Sequence, residues 1–420
     1  MLEAEAALVA AQAEVGLVPA DVAERIARAR RELDPDVSAL GEAAAEAGTP
    51  VVPLVKDISA VLCDADADYV HLGVTSQDIV DTAMMLVVSR NLQEIRVQLE
   101  ACAEVAADLA ANHRRTVMAG RTLLQQASPT TFGLLAAGWL SGLGSAADQL
   151  LDVRENHLAV QLGGAVGTLA SLDDRGLAVL AAYASGLGLA EPAVPWHTER
   201  SRVAQVAGAL GAAAGVAGKI ARDVILLSQN ELGEVREAHR PGKGGSSSLP
   251  HKRNPVTAVT VSALALQAPG LVATLLGAMP HELQRAAGAW QAEWAALADL
   301  LDVVHGAAES LRECLSGLEV DAERMRANVD ASGSRLLAEA LSTALQPTLG
   351  RRMAQRLVTA ASEEAVATGV PLADVLAGRP EVSLSRKEIE AVLDPMGYLG
   401  AAEAFVERAL AVHDERRNRP

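Results

Sequence analysis

Aromatic residues are nearly missing from this 420-residue chain: two Phe, three Tyr and four Trp. Half the residues are nonetheless hydrophobic, so the core has to be built from Ala, Leu and Val. Small side chains let helices approach closely, which suits a tightly packed bundle. Cysteine is scarce too. Cys63, Cys102 and Cys314 are odd in number, far apart and never in a CxxC pair, which supports neither a zinc site nor a disulfide framework. Basic residues are outnumbered, 36 against 53 acidic, for a formal net charge of −17. Such a balance argues against nucleic acid as a partner. No basic leader with an apolar run opens the chain, and no uninterrupted apolar stretch reads as reaching the roughly 20 residues of a membrane span. The expectation is a cytoplasmic protein without membrane contact. Alternation of β-branched and aromatic residues is sustained nowhere, so strands are not expected.

Helical patterning is abundant. Residues 1 to about 82 read as short helices broken by Gly16, Pro19, Pro35, Gly48, Pro50 and Pro53, with Asp21 and Asp36 as N-caps. Long helices are predicted over Thr82–His113, Pro129–His157 and Thr198–Ala238, then over 255–284, with a kink at Pro269, and 288–319. Gly208, Gly211, Gly215 and Gly218 weaken the third of these as an isolated helix; they read as close contact points between helices or as a kink. Beyond about residue 330 the helices shorten again, with turns at Pro347–Gly350, Gly369–Pro371 and Asp394–Gly397. The fold class is therefore all-α. It has an N-terminal helical domain (1–82), a central long-helix bundle (83–330) and a C-terminal helical domain (331–420). Helices this long and apolar need cover on every side, which predicts a homo-oligomer.

Four polar segments are not explained by a core. His71-Leu72-Gly73-Val74-Thr75-Ser76-Gln77-Asp78 places hydroxyls at a helix start, where free N–H groups and the dipole favour an anion; simple capping is the plainer account. Gly120-Arg121-Thr122-Leu123-Leu124-Gln125 offers an arginine fork for a carboxylate, or a surface ion pair. Trp196-His197-Thr198-Glu199-Arg200-Ser201-Arg202 sets two arginines against a helix dipole beside a histidine able to act as acid or base, although a lone histidine is more often structural. The richest segment is Gly242–Pro255, with three serines, two lysines, an arginine and a histidine between apolar helices. Its spacing fits neither GxxxxGK[ST] nor GxGxxG. Consecutive N–H groups in such a loop can stabilise an oxyanion, and a serine beside Lys252 can act as a base. His281-Glu282 begins like HExxH, but Arg285 stands at the second histidine position, so no zinc protease site is expected.

Taken together the segments resemble the fumarase/aspartase superfamily. Gly245-Ser246-Ser247-Ser248-Leu249-Pro250-His251-Lys252-Arg253-Asn254-Pro255 is similar to its GSSxMPxKxNP signature, with Leu249 for the usual methionine; Thr75-Ser76-Gln77-Asp78 is similar to its TSxD segment and Gly120-Arg121-Thr122 to its GRT segment. Within the superfamily the chain resembles the bacterial carboxymuconate cycloisomerases, on His71–Thr82, Ala119–Thr122 with Phe132-Gly133, Pro195–Thr198 and Asp394–Gly400. The resemblance implies a three-domain subunit in a homotetramer with a 20-helix core, and active sites shared between subunits. It implies a small polycarboxylate substrate and no cofactor or metal. It implies catalytic roles for Ser246, Lys252 and His197. His71, Thr75, Ser76, Arg121, Thr122, Gln125, Arg200 and Asn254 would bind substrate. The implied reaction converts 3-carboxy-cis,cis-muconate into 4-carboxymuconolactone. Many relatives carry a histidine after GRT as general acid; here that position is Leu123. Cyclisation does not need that acid, because the attacking or leaving group is an ionised carboxylate. The alternatives are a lyase of the same superfamily that releases fumarate and, in a different class, a catalytically silent scaffold.

Overall fold

A computed structural model describes residues 1–238, 243–245, 249 and 252–419, with only the main chain of Ser334. Ser246, the expected catalytic serine, lies outside the described residues. The chain divides into two compact units. The first comprises Met1–Val97, Asp148–Ala214 and Leu266–His305; the second comprises Gln98–Ala147, Gly215–Ala265 and Gly306–Pro420. Four of the five divisions fall within the long helices Ser76–Asn112, Phe132–Asn156, Ser201–Leu227 and Ala289–Ser316, and the fifth follows the helix Val256–Ala265.

In the first unit, Ala4, Leu8, Ile79, Val160, Leu180 and Tyr183 form one buried cluster. Val9, Val22, Ile26, Leu54 and Ile58 form another between the N-terminal helices. Asp36 is the N-cap expected of it, accepting from the N–H groups of Ser38 and Ala39. Asp21 is not a cap: it sits inside its helix and pairs with Arg25 at 2.8 Å. In the second unit, Leu341, Leu345, Val358, Leu376 and Ile389 hold the C-terminal helices together. Pro347, expected in a turn, lies inside the helix Ala338–Leu349; the chain turns at Gly350 instead, at φ 72°.

The all-α expectation holds, with four short strands as exceptions among the described residues. β1 (Val117–Thr122) pairs antiparallel with β2 (Gln125–Thr131). β3 (Val235–Glu237) pairs with β4 (Leu318–Val320). Gly120 lies within β1, where a Cβ would stand 2.7 Å from the Ser128 carbonyl oxygen. Pro129 belongs to β2 and not to the following helix, which starts at Phe132. The helix predicted over Thr198–Ala238 is shorter, Ser201–Leu227. Its glycines split in role. A Cβ on Gly211 would meet Val272 at 3.0 Å and one on Gly218 would meet Ala265 at 2.9 Å, while Gly208 and Gly215 face nothing within 4 Å.

One segment stands apart from the other helices. Val256–Ala278 carries no charged residue over 23 residues and is long and apolar enough, by length and composition, to cross a membrane. Scattered Thr, Ser and Gln residues disguise the run in the sequence. It forms two successive helices, Val256–Ala265 and Ala268–Ala278, parted just before Pro269. Only 17 % of its most apolar window is buried within the chain.

Candidate active site

In the first unit the polar motifs converge on one carboxylate. Asp78 lies in the first turn of Ser76–Asn112 and is fully buried. Its Oδ2 accepts from the N–H groups of Thr75 (3.0 Å) and Gly164 (2.9 Å), and its Oδ1 from Gly163 N–H (3.0 Å). Oδ1 also meets His197 Nε2 at 2.6 Å. Three backbone donors and an imidazole thus satisfy a charge that would otherwise be costly to bury. Asp78 itself serves the Thr75 N–H, so neither Thr75 nor Ser76 caps the helix through its hydroxyl. Both hydroxyls are without a partner among the described residues and stand at the positive end of the dipole.

His197 is almost enclosed, and Gly163 explains how: a Cβ there would stand 2.6 Å from the imidazole Cε1. Gln77 Nε2 donates to the His197 carbonyl at 2.8 Å and to Asp81 at 3.0 Å. Arg285 closes the arrangement, donating to Gln77 Oε1 (2.8 Å) and to the carbonyls of Gly164 (2.7 Å) and Ala165 (3.0 Å). Burial pulls this guanidinium below its ordinary range, opposed by Asp78 and Asp81. His71 stands at the start of the same motif, with Nδ1 2.7 Å from Glu5.

Arg200 corrects the sequence reading. Its side chain is fully enclosed, with the guanidinium gripping Asp81 at 2.8 Å and Glu293 at 2.5 Å. Burial opposes its charge, and the two carboxylates more than offset that. A guanidinium committed on both sides and shut away from solvent is part of the framework, not a substrate ligand.

In the second unit the β1–β2 hairpin carries Arg121, Thr122 and Gln125; Thr122 and Gln125 are exposed. Arg121 makes an ion pair, one of the two courses left open by the sequence. Its fork is filled by the buried Glu234, at 2.7 and 2.9 Å, and Asn328 Nδ2 also donates to Glu234 at 2.7 Å. Arg121, Leu124, Gln125, Asp223 and Leu232 help line a cavity of about 530 Å³. The hairpin turns on Leu123 and Leu124, both left-handed at φ 52° and 63°. The ends of the signature loop are clamped. Glu237 accepts from Thr257 N–H (3.1 Å), Thr257 Oγ1 (2.8 Å) and Ala258 N–H (2.7 Å). Asn254 donates through both its main-chain N–H (2.9 Å) and its Nδ2 (3.1 Å) to the Gly244 carbonyl, joining described residues near the two ends of the loop. Gly244 is required there: φ is 72°, and a Cβ would stand 2.7 Å from the Asn254 carbonyl oxygen. Lys252 is exposed.

Thus His71, Thr75, Ser76, His197 and Arg200 belong to the first unit, and Arg121, Thr122, Gln125, Lys252 and Asn254 to the second. Asp78, Gln77, Gly163, Gly164 and Arg285 escaped the sequence reading as site residues. The adjacent glycines and the Asp of the TSxD segment were the available signals.

Known proteins resemble this chain over most of its length. A family model described as a lyase matches residues 1–270, and one for the adenylosuccinate lyase C-terminus matches 335–409. A 3-carboxy-cis,cis-muconate cycloisomerase of Pseudomonas aeruginosa is 47 % identical over 98 % of this chain and 91 % of the relative. A nitrosuccinate lyase of Streptomyces davaonensis is 46 % identical over 99 % and 90 %. The crystal structure of 3-carboxy-cis,cis-muconate lactonizing enzyme from Pseudomonas putida superposes with a TM-score of 0.92 at 41 % identity, covering 99 % of this chain and 94 % of that one. Matched over most of its length in sequence and in fold, with the superfamily's polar motifs in order, the chain belongs to the fumarase/aspartase lyase family.

Proposed function

We propose that the chain is a cofactor-free cycloisomerase converting 3-carboxy-cis,cis-muconate into 4-carboxymuconolactone. One substrate carboxylate adds through oxygen to the conjugated double bond. The displaced electron pair accumulates as an enolate-like carboxylate, and Ser246 supplies the proton to the neighbouring carbon. The ionised substrate takes up one proton, which Ser246 regains from solvent; counted as free acids, substrate and product are isomers. Thr75 and Ser76, with free hydroxyls at a helix N-terminus, bind a substrate carboxylate. Lys252 supplies positive charge and Asn254 holds the loop that carries Ser246. The observation that carries the reading is Leu123. The position that bears a general acid in many relatives is here an apolar side chain, 97 % exposed at a hairpin tip. A carboxylate, ionised at neutral pH, needs no proton to attack or leave.

The same observation favours a second reading, elimination of an equally weak base from a substituted succinate with release of fumarate, as the name of the Streptomyces relative suggests. The subunits would assemble as a homotetramer with shared active sites, other copies covering Val256–Ala278. That makes this run a subunit contact and not a membrane span.

The test follows loss of the muconate chromophore beside fumarate release from substituted succinates. Muconate turnover without fumarate release is expected; the reverse sinks the cyclisation reading. Ser246→Ala should keep assembly and binding but lose about 10²–10³ in kcat. A variant with normal kcat would remove Ser246 from the mechanism.

A further inference from the structure

One buried acid has so far appeared only as the neighbour of His71. Glu5 lies on the helix Leu2–Glu14, 2 % exposed, beside the fully buried Ala4 and Leu8. An ionised carboxylate in such surroundings is costly without partners. Its Oε1 meets His71 Nδ1 at 2.7 Å, and its Oε2 has no hydrogen-bond partner among the described residues. A buried acid in a helix that needed only packing would be replaced at no loss by an apolar residue. Glu5 therefore answers to the imidazole.

His71 shows the same bias from its own side. Its φ of 59° lies in the left-handed region, which a non-glycine residue takes only when its surroundings enforce it. The bend brings Nδ1 onto Glu5 while the side chain keeps 21 % of its surface exposed. Nε2 has no partner among the described residues and is open to solvent. His197 is the opposite case. Its Nε2 is committed to Asp78 and its side chain is only 5 % exposed. Of the two histidines, His71 presents a free ring nitrogen outward, four residues before the unpaired hydroxyl of Thr75.

We propose that Glu5 is a positioning residue for the reaction. Its carboxylate accepts the Nδ1–H of His71, fixes the ring's tautomer and rotation, and leaves Nε2 as the atom that meets the substrate. An imidazole held in this way by a buried carboxylate works from one nitrogen only. Glutamine at position 5 can donate as well as accept, so it no longer dictates the tautomer.

The inference rests on the cycloisomerase reading only for the choice of assay. Glu5→Gln is expected to lower kcat/KM about 10- to 100-fold with little change in Tm, and Glu5→Asp to restore part of it. Nitrogen-15 spectra of histidine-labelled protein at alkaline pH, with His71 assigned from a His71→Ala variant, should show the Nδ1–H form in the parent and a mixed form in Glu5→Gln. Wild-type kcat/KM in Glu5→Gln overturns the proposal. So does lost activity with an unchanged tautomer, since that is a purely structural effect. Should Glu5→Gln not fold, the same two readouts on Glu5→Met, which removes the acceptor without burying another polar group, decide in the same way. If the parent turns over neither a muconate nor a substituted succinate, the functional reading fails, while the spectra, which need no substrate, still decide whether Glu5 sets the His71 tautomer.

Discussion

A single carboxylate explains why three distant motifs of the first unit occupy one place. Asp78 gathers the backbone of Thr75, Gly163 and Gly164 and the His197 ring around two oxygens. Asparagine keeps one acceptor and turns an NH₂ group toward donors that have nowhere else to point. Asp78→Asn should therefore cost about 3 kcal/mol of stability, the scale of breaking a buried charged pair, read as a lowered denaturation midpoint. A midpoint unchanged from the parent would mean that the loop through Gly163 holds itself. His197 and the TSxD motif were both legible in the sequence as chemically interesting. That they form one unit was not, because a pairing across 119 residues leaves no local pattern.

At the scale of elements, the hairpin of β1 and β2 is the feature that sequence reasoning passed over. Turns of this type favour Asn-Gly, since both central residues take positive φ. Here they are Leu123 and Leu124, 97 % and 68 % exposed, so burial does not repay the strain. Each left-handed leucine costs on the order of 1–2 kcal/mol. Replacing the pair by Asn-Gly should raise the denaturation midpoint by an amount worth about 2 kcal/mol. If turnover falls as stability rises, the two leucines are kept for the active site; if turnover is unaffected, they have no part in it. Strands were not expected because β1 and β2 are short and carry Gly120 and Pro129. Pairing across a tight turn, more than intrinsic preference, makes them strands.

For the whole molecule, the segment Val256–Ala278 carries the prediction. It is uncharged and poorly buried in the single chain, a condition soluble monomers avoid over so large an area. Leu266→Glu and Leu276→Glu, at exposed positions, should dissociate the assembly and abolish turnover, with sedimentation reporting the mass. A tetramer that survives both changes would place the subunit contacts elsewhere. The all-α class, the long helices and the identity of the polar motifs were determined by composition, periodicity and short motifs, all properties of neighbouring residues. Tertiary structure decided which charges those motifs spend on the protein itself: Arg121 on Glu234, Arg200 on Asp81 and Glu293, His71 on Glu5. Whether an arginine is a ligand or a strut depends on what lies within 3 Å of its guanidinium. In each of these cases the partner stands 66 or more residues away along the chain.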